Sequence, residues 1–396
     1  MRPVTRDARP ARSSRPRPWA LAPLLALVLT ACGSGGGDGT DGAAADTPAG
    51  PTGGTADGTA APGSGGQDDG PGGGRPGSPE TVATGLDAPW GLGFLPDGSA
   101  LLTERDTALV KRVDPDGTVT TVGEVPGVNA RGEGGLLGLA VSPDFAQDQR
   151  LFLYFTSSTD NRIVRTTYDG QALGPVEPLV TDIPISGIHN GGRLAFGPDG
   201  HLYAGTGDAS ETGLAQELDS LGGKVLRMTT DGEAPEDNPF PGSLVFTLGH
   251  RNVQGLAFDG DGRLWASEFG QDRVDEVNLL EAGGNYGWPQ VEGAGGRPEY
   301  VDPLVEWAPA EASPSGGAVV GDTFWVAALR GQRLWEVPLQ GETVGEPRDH
   351  LVEELGRLRL VTEAPDGALW LLTNNTDGRG DPREGDDRVV RVPLDG

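Results

Sequence analysis

The 396-residue chain has one cysteine, four histidines and few aromatic residues. A lone cysteine has no internal partner, so no disulfide can brace the fold and packing must do so. Positive charge is also scarce: 30 basic residues face 58 acidic ones, a net of −28. Such a surface repels nucleic acid and bare anionic lipid, and an anionic ligand could bind only in a locally basic pocket. Long hydrophobic runs are missing too. The most apolar stretch, "WALAPLLALVLTA" (Trp19–Ala31), is shorter than the ~20 residues a membrane-spanning helix needs. Helical periodicity is almost absent, and "AQELDSLGG" (215–223) is the best candidate for a single turn. From residue 33 to 79 there is no aromatic residue and no Leu, Ile or Val. Nothing there can offset chain entropy by burial, so the stretch reads as a flexible tether.

The first 31 residues read as a secretory signal. Arg2, Arg6, Arg9, Arg12, Arg15 and Arg17 precede the short apolar run, the order of a basic and then a hydrophobic signal region. No two of these arginines are adjacent, so the twin-arginine route is not indicated. The run ends in Leu29-Thr30-Ala31-Cys32, which resembles the lipobox of bacterial lipoproteins. That resemblance implies cleavage before Cys32, lipidation of its thiol and anchorage at the outer face of the cell membrane. An ordinary signal with a chance cysteine is the alternative. The expected organisation is residues 1–31 signal, 32–79 lipidated cysteine and linker, and 80–396 folded domain.

What the folded part does have is a repeat. Six times an apolar run meets a Pro-Asp-Gly-like turn and a second apolar run. The instances are "GLGFLPDGSALLTE", "GLAVSPDFAQDQRLFLYF", "GRLAFGPDGHLYAGTG", "GLAFDGDGRLWASEF", "GGAVVGDTFWVAAL" and "RLVTEAPDGALWLLT". Asp-Gly between alternating runs is a strong hairpin signal. Most units add a further strand, such as "ALVKRVDPDG". A spacing of ~45–62 residues suits propeller blades with loops. The expected fold is all-β, a six-bladed propeller of four-stranded antiparallel blades. "ETVATGL" at the start and "DRVVRVPL" at the end would pair to close the ring and remove two open edges. Trp265, Trp325, Trp335 and Trp370 recur in the hairpins and read as blade-packing residues.

In such a ring the loops entering the innermost strands share one rim, and the unusual residues fall in them. They are Arg131 and Glu133; His189, Asn190 and Arg193; His250, Arg251, Asn252 and Gln254; Trp307 and Ser315; and Arg357 with Arg359. They would form a cleft with a histidine, several arginines and an aromatic wall to which Trp307 would contribute for substrate. Taken alone, His189 could equally be a buried histidine bonded to a carbonyl at a strand start. His201 reads as an exposed hairpin residue, His350 as part of a polar loop, and "DPREGDD" (381–387) as a solvated acidic loop.

The segments "RGEGGLLGLAVSPDF", "HNGGRLAFGPDGHLYAGTGD", "LGGKVLRM", "LGHRNVQGLAF", "NLLEAGGNYGWP" and "GRLRLVTEAPDGALW" resemble, in order, the soluble quinoprotein glucose/sorbosone dehydrogenases, particularly their aldose sugar dehydrogenase branch. The resemblance spans about residues 80 to 394. It implies a propeller that binds pyrroloquinoline quinone (PQQ) and calcium and oxidises the anomeric hydroxyl of aldoses to lactones, with an external electron acceptor still to be identified. By the same resemblance His189 is the general base and Arg251, beside Asn252, the cation near the quinone oxygen. Arg357 and Arg359 are partners for the cofactor's carboxylates, with Lys224 and Arg330 as further contacts. A hydride leaving a sugar carbon needs a base for the hydroxyl proton, and imidazole suits neutral pH.

For calcium, the resemblance implies Glu268 and Asn278 as ligands, and the backbone carbonyls of Gly270 and Gln271 at the cofactor-bound ion; oxygen donors suit a hard cation. Two positions depart from the family pattern. Glu133 stands where glutamine is usual and would repel the cofactor's carboxylates unless protonated or bridged by Arg131. "EFGQ" replaces "EHGP", so Phe269 and Gln271 stand for histidine and proline. Two other classes remain open on sequence grounds: a non-catalytic propeller binding carbohydrate or a cell-surface partner, and a calcium-dependent lactonase.

Overall fold

The computed structural model describes residues 74–395; the signal segment and Cys32 lie outside them. Six small antiparallel sheets make a six-bladed β-propeller. The first strand of each blade is the innermost one. These are Pro89–Phe94, Leu136–Val141, Leu194–Phe196, Val253–Phe258, Pro314–Val320 and Leu358–Glu363. Each touches the first strands of its two neighbours around the ring. Every blade but the last runs consecutively outward, with a short extra hairpin strand, Thr343–Val344, on blade five.

The hairpin turns explain the recurring Asp-Gly. Gly98, Gly200 and Gly367 adopt φ of 84°, 77° and 79°, a left-handed conformation that glycine enters without steric cost. The preceding carboxylates of Asp97, Asp199 and Asp366 accept the backbone N–H two residues on, at 3.0–3.1 Å, the local bond that favours Asp in turns. The second unit differs. Its turn holds a single helical turn, Phe145–Asp148, where hairpin alternation alone would read a loop. The expected turn near residue 215 is a 3-10 helix at Thr212–Gln216.

The ring closes as the sequence suggests: Glu80–Ala83 pairs antiparallel with Val389–Val392 and becomes the outer strand of blade six. A second pairing, Arg75–Pro76 with Leu394–Asp395, reaches into the stretch read as linker. Backbone pairing needs no apolar side chain, which is why composition gave no sign of it. The core lies between blades. Trp265 and Trp325 are fully buried, and Trp370 meets Phe94 of blade one edge-on at 4.9 Å. His350 lies in a short outer strand, Arg348–His350, and its Nε2 bonds Glu336 at 2.7 Å. Of the acidic loop, residues 381–384 are exposed, but Asp387 is buried and accepts hydrogen bonds from Thr373, Asn375 and Thr376.

Candidate active site

The rim loops converge on a cavity of about 420 Å³. Arg105, Arg251, Arg330, Arg357, Arg359 and Arg379 line it, against Glu133, Asp275 and Asp377. His189, Asn252, Gln254, Phe269, Gly270 and Gln271 complete most of the wall. A basic cavity therefore sits in a strongly acidic protein, and such a pocket selects anions by field as well as by contact.

His189 is placed by the turn of its own loop and by Asp208. Its φ of 59° is left-handed, uncommon for a side-chain-bearing residue, and it turns the loop sharply before Gly191 and Gly192. A Cβ on Gly191 would lie 2.5 Å from the Gly205 carbonyl oxygen, so the loop can lie against its neighbouring strand only with glycine there. The imidazole Nδ1 is 2.7 Å from Asp208 Oδ1. Asp208 also accepts from the Ser210 backbone and from Trp288 Nε1 at 2.8 Å. Burial opposes its charge, but the His189 contact and these donors hold its carboxyl below the usual range. An ionised Asp208 therefore fixes Nδ1 as the protonated nitrogen and leaves Nε2 as the acceptor for the cavity.

Arg251 lies over the Trp288 ring at 5.6 Å, donates weakly to the Phe269 carbonyl at 3.4 Å, and keeps Nε buried without a partner. Asn252 orients the histidine loop, its Oδ1 accepting the Gly191 N–H at 2.9 Å. Arg359 is held by amides, NH1 to Gln254 at 2.8 Å and NH2 to Asn374 at 2.9 Å. Its ion-pair contact with Asp377 is long, at 4.0 Å, and burial pushes the guanidinium down to about 9. Arg357 is committed to Asp377 at 2.8 Å, and burial works against that carboxylate until both arginines hold it low.

Several expected residues take other roles. Lys224 is not on the cavity: its Nζ donates to the backbone carbonyls of Leu214 and Gly222 at 2.6 and 2.7 Å. Burial pushes it down to about 8, and it stitches a loop rather than meeting a cofactor. Trp307 is also absent from the wall. It stacks on Trp335 at 4.9 Å in the outer part of the fold, because it sits on the last strand of blade four rather than in the following loop; Phe269 is the cavity's aromatic residue. Arg193 is buried beneath, 4.2 Å from the Trp90 ring. Arg131 does not bridge Glu133. Arg379 does, at 2.7 Å, while the other Glu133 oxygen accepts the His189 backbone N–H at 3.0 Å. Burial opposes the Glu133 charge, but these two donors keep its carboxyl low, so it is ionised rather than protonated.

Two oxygen-rich places answer to the expected calcium ligands. Glu268 and Asn278 lie on adjacent strands beside Glu276, which burial and the nearby Glu268 charge push up to about 8. Asn278 Oδ1 is buried without a partner, although Glu268 already accepts from His250 Nδ1 at 2.7 Å. Gly270 and Gln271 lie apart from that pair, on the cavity wall. Among the described residues no three His, Cys, Asp or Glu side chains converge on a metal position, so amide and backbone oxygens would have to complete either set.

Asp208, Arg105, Asp377 and Arg379 were not singled out from sequence. Asp208 ends the "HNGGRLAFGPDGHLYAGTGD" segment, and an Asp at the end of the hairpin that His189 enters was the available signal.

The Glucose / Sorbosone dehydrogenase family profile matches residues 86–381. An aldose sugar dehydrogenase of Escherichia coli is 32% identical over 337 residues, covering 76% of this chain and 90% of that protein. Quinoprotein glucose dehydrogenase B of Acinetobacter calcoaceticus is 39% identical over 251 residues, 54% of this chain and 52% of that one. The PQQ-bound form of an aldose sugar dehydrogenase from Streptomyces coelicolor superposes with a TM-score of 0.78 at 54% identity, covering 80% of this chain and 98% of that chain. The profile spans most of the folded region and the Escherichia coli relative is covered over 90% of its length, so the chain belongs to the glucose/sorbosone dehydrogenase family.

Proposed function

We propose that this protein is a PQQ-dependent aldose dehydrogenase that oxidises the anomeric hydroxyl of a sugar to a lactone. The observation that carries the reading is the imidazole of His189, anchored through Nδ1 to Asp208 at the edge of a six-arginine cavity. The cavity's chemistry fits the cofactor: guanidinium groups suit several carboxylates, and Arg251 keeps a buried donor unpartnered. When bound, PQQ supplies the two-electron acceptor that no side chain provides.

The chain's own residues do the rest. His189 Nε2 takes the proton from the anomeric hydroxyl, and Asp208 stabilises the imidazolium that results. Arg251 places fixed positive charge where negative charge grows as the sugar carbon is oxidised. Arg357, Arg359 and Arg330 hold cofactor carboxylates. The unpartnered Asn278 oxygen with Glu268 and Glu276, and the Gly270 and Gln271 carbonyls on the cavity wall, are donors of the kind a calcium ion takes. The test is to add PQQ and calcium to purified protein. A stoichiometric bound chromophore, and aldose-dependent reduction of an artificial acceptor, are expected; failure to bind PQQ overturns the reading.

We also propose that the protein is exported and lipid-anchored through Cys32, as the lipobox resemblance implies. Multiple acyl chains give stable membrane attachment. Cys32→Ala should release the protein or block its processing, and a processed variant that still fractionates with membranes would refute the anchor.

A further inference from the structure

We propose that Arg379 is a positioning residue: its ion pair with Glu133 screens a carboxylate that would otherwise oppose the cofactor's carboxylates, and leaves that carboxylate free to hold the His189 backbone. The inference rests on the proposed PQQ site.

Glu133 splits its two oxygens between two tasks. Oε1 meets Arg379 NH1 at 2.7 Å and Oε2 accepts the His189 N–H at 3.0 Å. A glutamine, the usual residue in the family, could accept that N–H with its amide oxygen and would need no counter-charge. A glutamate accepts it more strongly, because a hydrogen bond to an ionised acceptor is the stronger kind, but brings a negative charge to the cofactor's cavity. Arg379 removes that conflict. It reaches over from the loop that follows the second strand of blade six, whereas Glu133 belongs to the loop before blade two. Among the described residues this is the ion pair of the cavity wall that joins different blades.

The geometry makes Arg379 both held and adjustable. Its backbone N–H donates to Asp377 Oδ1 at 2.9 Å, and Asp377 Oδ2 takes Arg357. Gly378 and Gly380 flank it, with open space around Gly378. An unbroken series of contacts therefore runs Arg357–Asp377–Arg379–Glu133–His189, from an arginine proposed to hold the cofactor to the residue proposed as base. The Arg379 side chain is 56% exposed, so the pair itself adds little to fold stability. Its effect falls on what enters the cavity, where an unscreened like charge is felt at short range.

This predicts a reversal between two substitutions, read as PQQ affinity in the presence of calcium by fluorescence titration. Arg379→Ala should weaken binding by about tenfold or more, roughly the effect of ~1.4 kcal/mol of repulsion. Glu133→Gln should bind at least as tightly as the unaltered protein. Adding Glu133→Gln to Arg379→Ala should restore most of the lost affinity. A double variant as weak as Arg379→Ala would mean that Arg379 touches the cofactor itself, and would overturn the proposal, as would normal affinity in Arg379→Ala. If Arg379→Ala does not fold, Arg379→Gln removes the same charge with less loss of volume. If the unaltered protein binds no PQQ, the function reading fails, and the pair is tested without cofactor. Glu133→Ala should then speed hydrogen exchange at the His189 amide by about tenfold, and unchanged exchange would overturn the hold on His189.

Discussion

Two histidines in this propeller each bond a carboxylate through Nδ1 at 2.7 Å, yet they stand in opposite situations. His189 lines the cavity, and among the described residues its ring has one hydrogen-bond partner, Asp208. His250 is fully buried, with Nε2 on Thr247 at 2.8 Å and its ring stacked on Tyr286 at 4.6 Å. A carboxylate beside an imidazole therefore does not mark a base. What matters is whether the second nitrogen is left free at a place a substrate can reach. His250 spends both nitrogens on the fold and fixes the turn that presents Arg251; His189 spends one.

Exchanging the pairs' members should pull them apart. The largest effect expected is from His189→Gln, which should lower kcat by ~10²–10⁴ with little change in PQQ affinity or melting temperature. Steady-state rates within a few-fold of the original would remove His189 from the reaction. His250→Gln should act on the other axis. It leaves Glu268 buried beside an imperfect donor, a loss of about 3 kcal/mol of stability, visible in denaturant unfolding. If kcat falls while unfolding is unchanged, the contrast is wrong.

Arg359→Ala should weaken PQQ binding by about ten- to a hundredfold, since a bond to a charged partner contributes roughly 1.5–3 kcal/mol. Calorimetry checks this against Lys224→Met, for which the cofactor affinity should not change. Asp208→Asn should lower kcat by about tenfold or more. Steady-state rates within a few-fold of the original would show that Asp208 does not act on the base.

The fold was legible because its signals are local. A hairpin turn with alternating flanks needs only ten or so residues to declare itself, and six of them, four with Asp-Gly, set the blade count. The short Arg75–Pro76 pairing was not legible, since it is made by backbone alone. The site was read unevenly for a related reason. His189, Arg251, Arg357 and Arg359 sit just before or at the start of inner strands, where the ring topology predicts convergence. Asp377 and Arg379 lie after the second strand of blade six, in a Gly- and Asp-rich loop that looks solvated, and only the folded ring brings Arg379 to Glu133 across 246 positions of sequence. Trp307 and Lys224 show the reverse error: each has chemistry suited to a binding site, but one faces a neighbouring indole and the other two carbonyls.

The joint between Glu80–Ala83 and Val389–Val392 sets the order of events when the chain is made. The outer strand of blade six is synthesised before any other blade and must wait for a partner some three hundred residues later. Until then blade six has an unpaired edge, although its inner strands already border blade one. The ring can thus be latched only after nearly the whole folded region has left the ribosome, and, if the chain is exported through a narrow channel, only on the far side of it. A truncation just short of residue 389 would remove the buried strand Val389–Val392 that Glu80–Ala83 pairs with, and would leave the ring without its clasp.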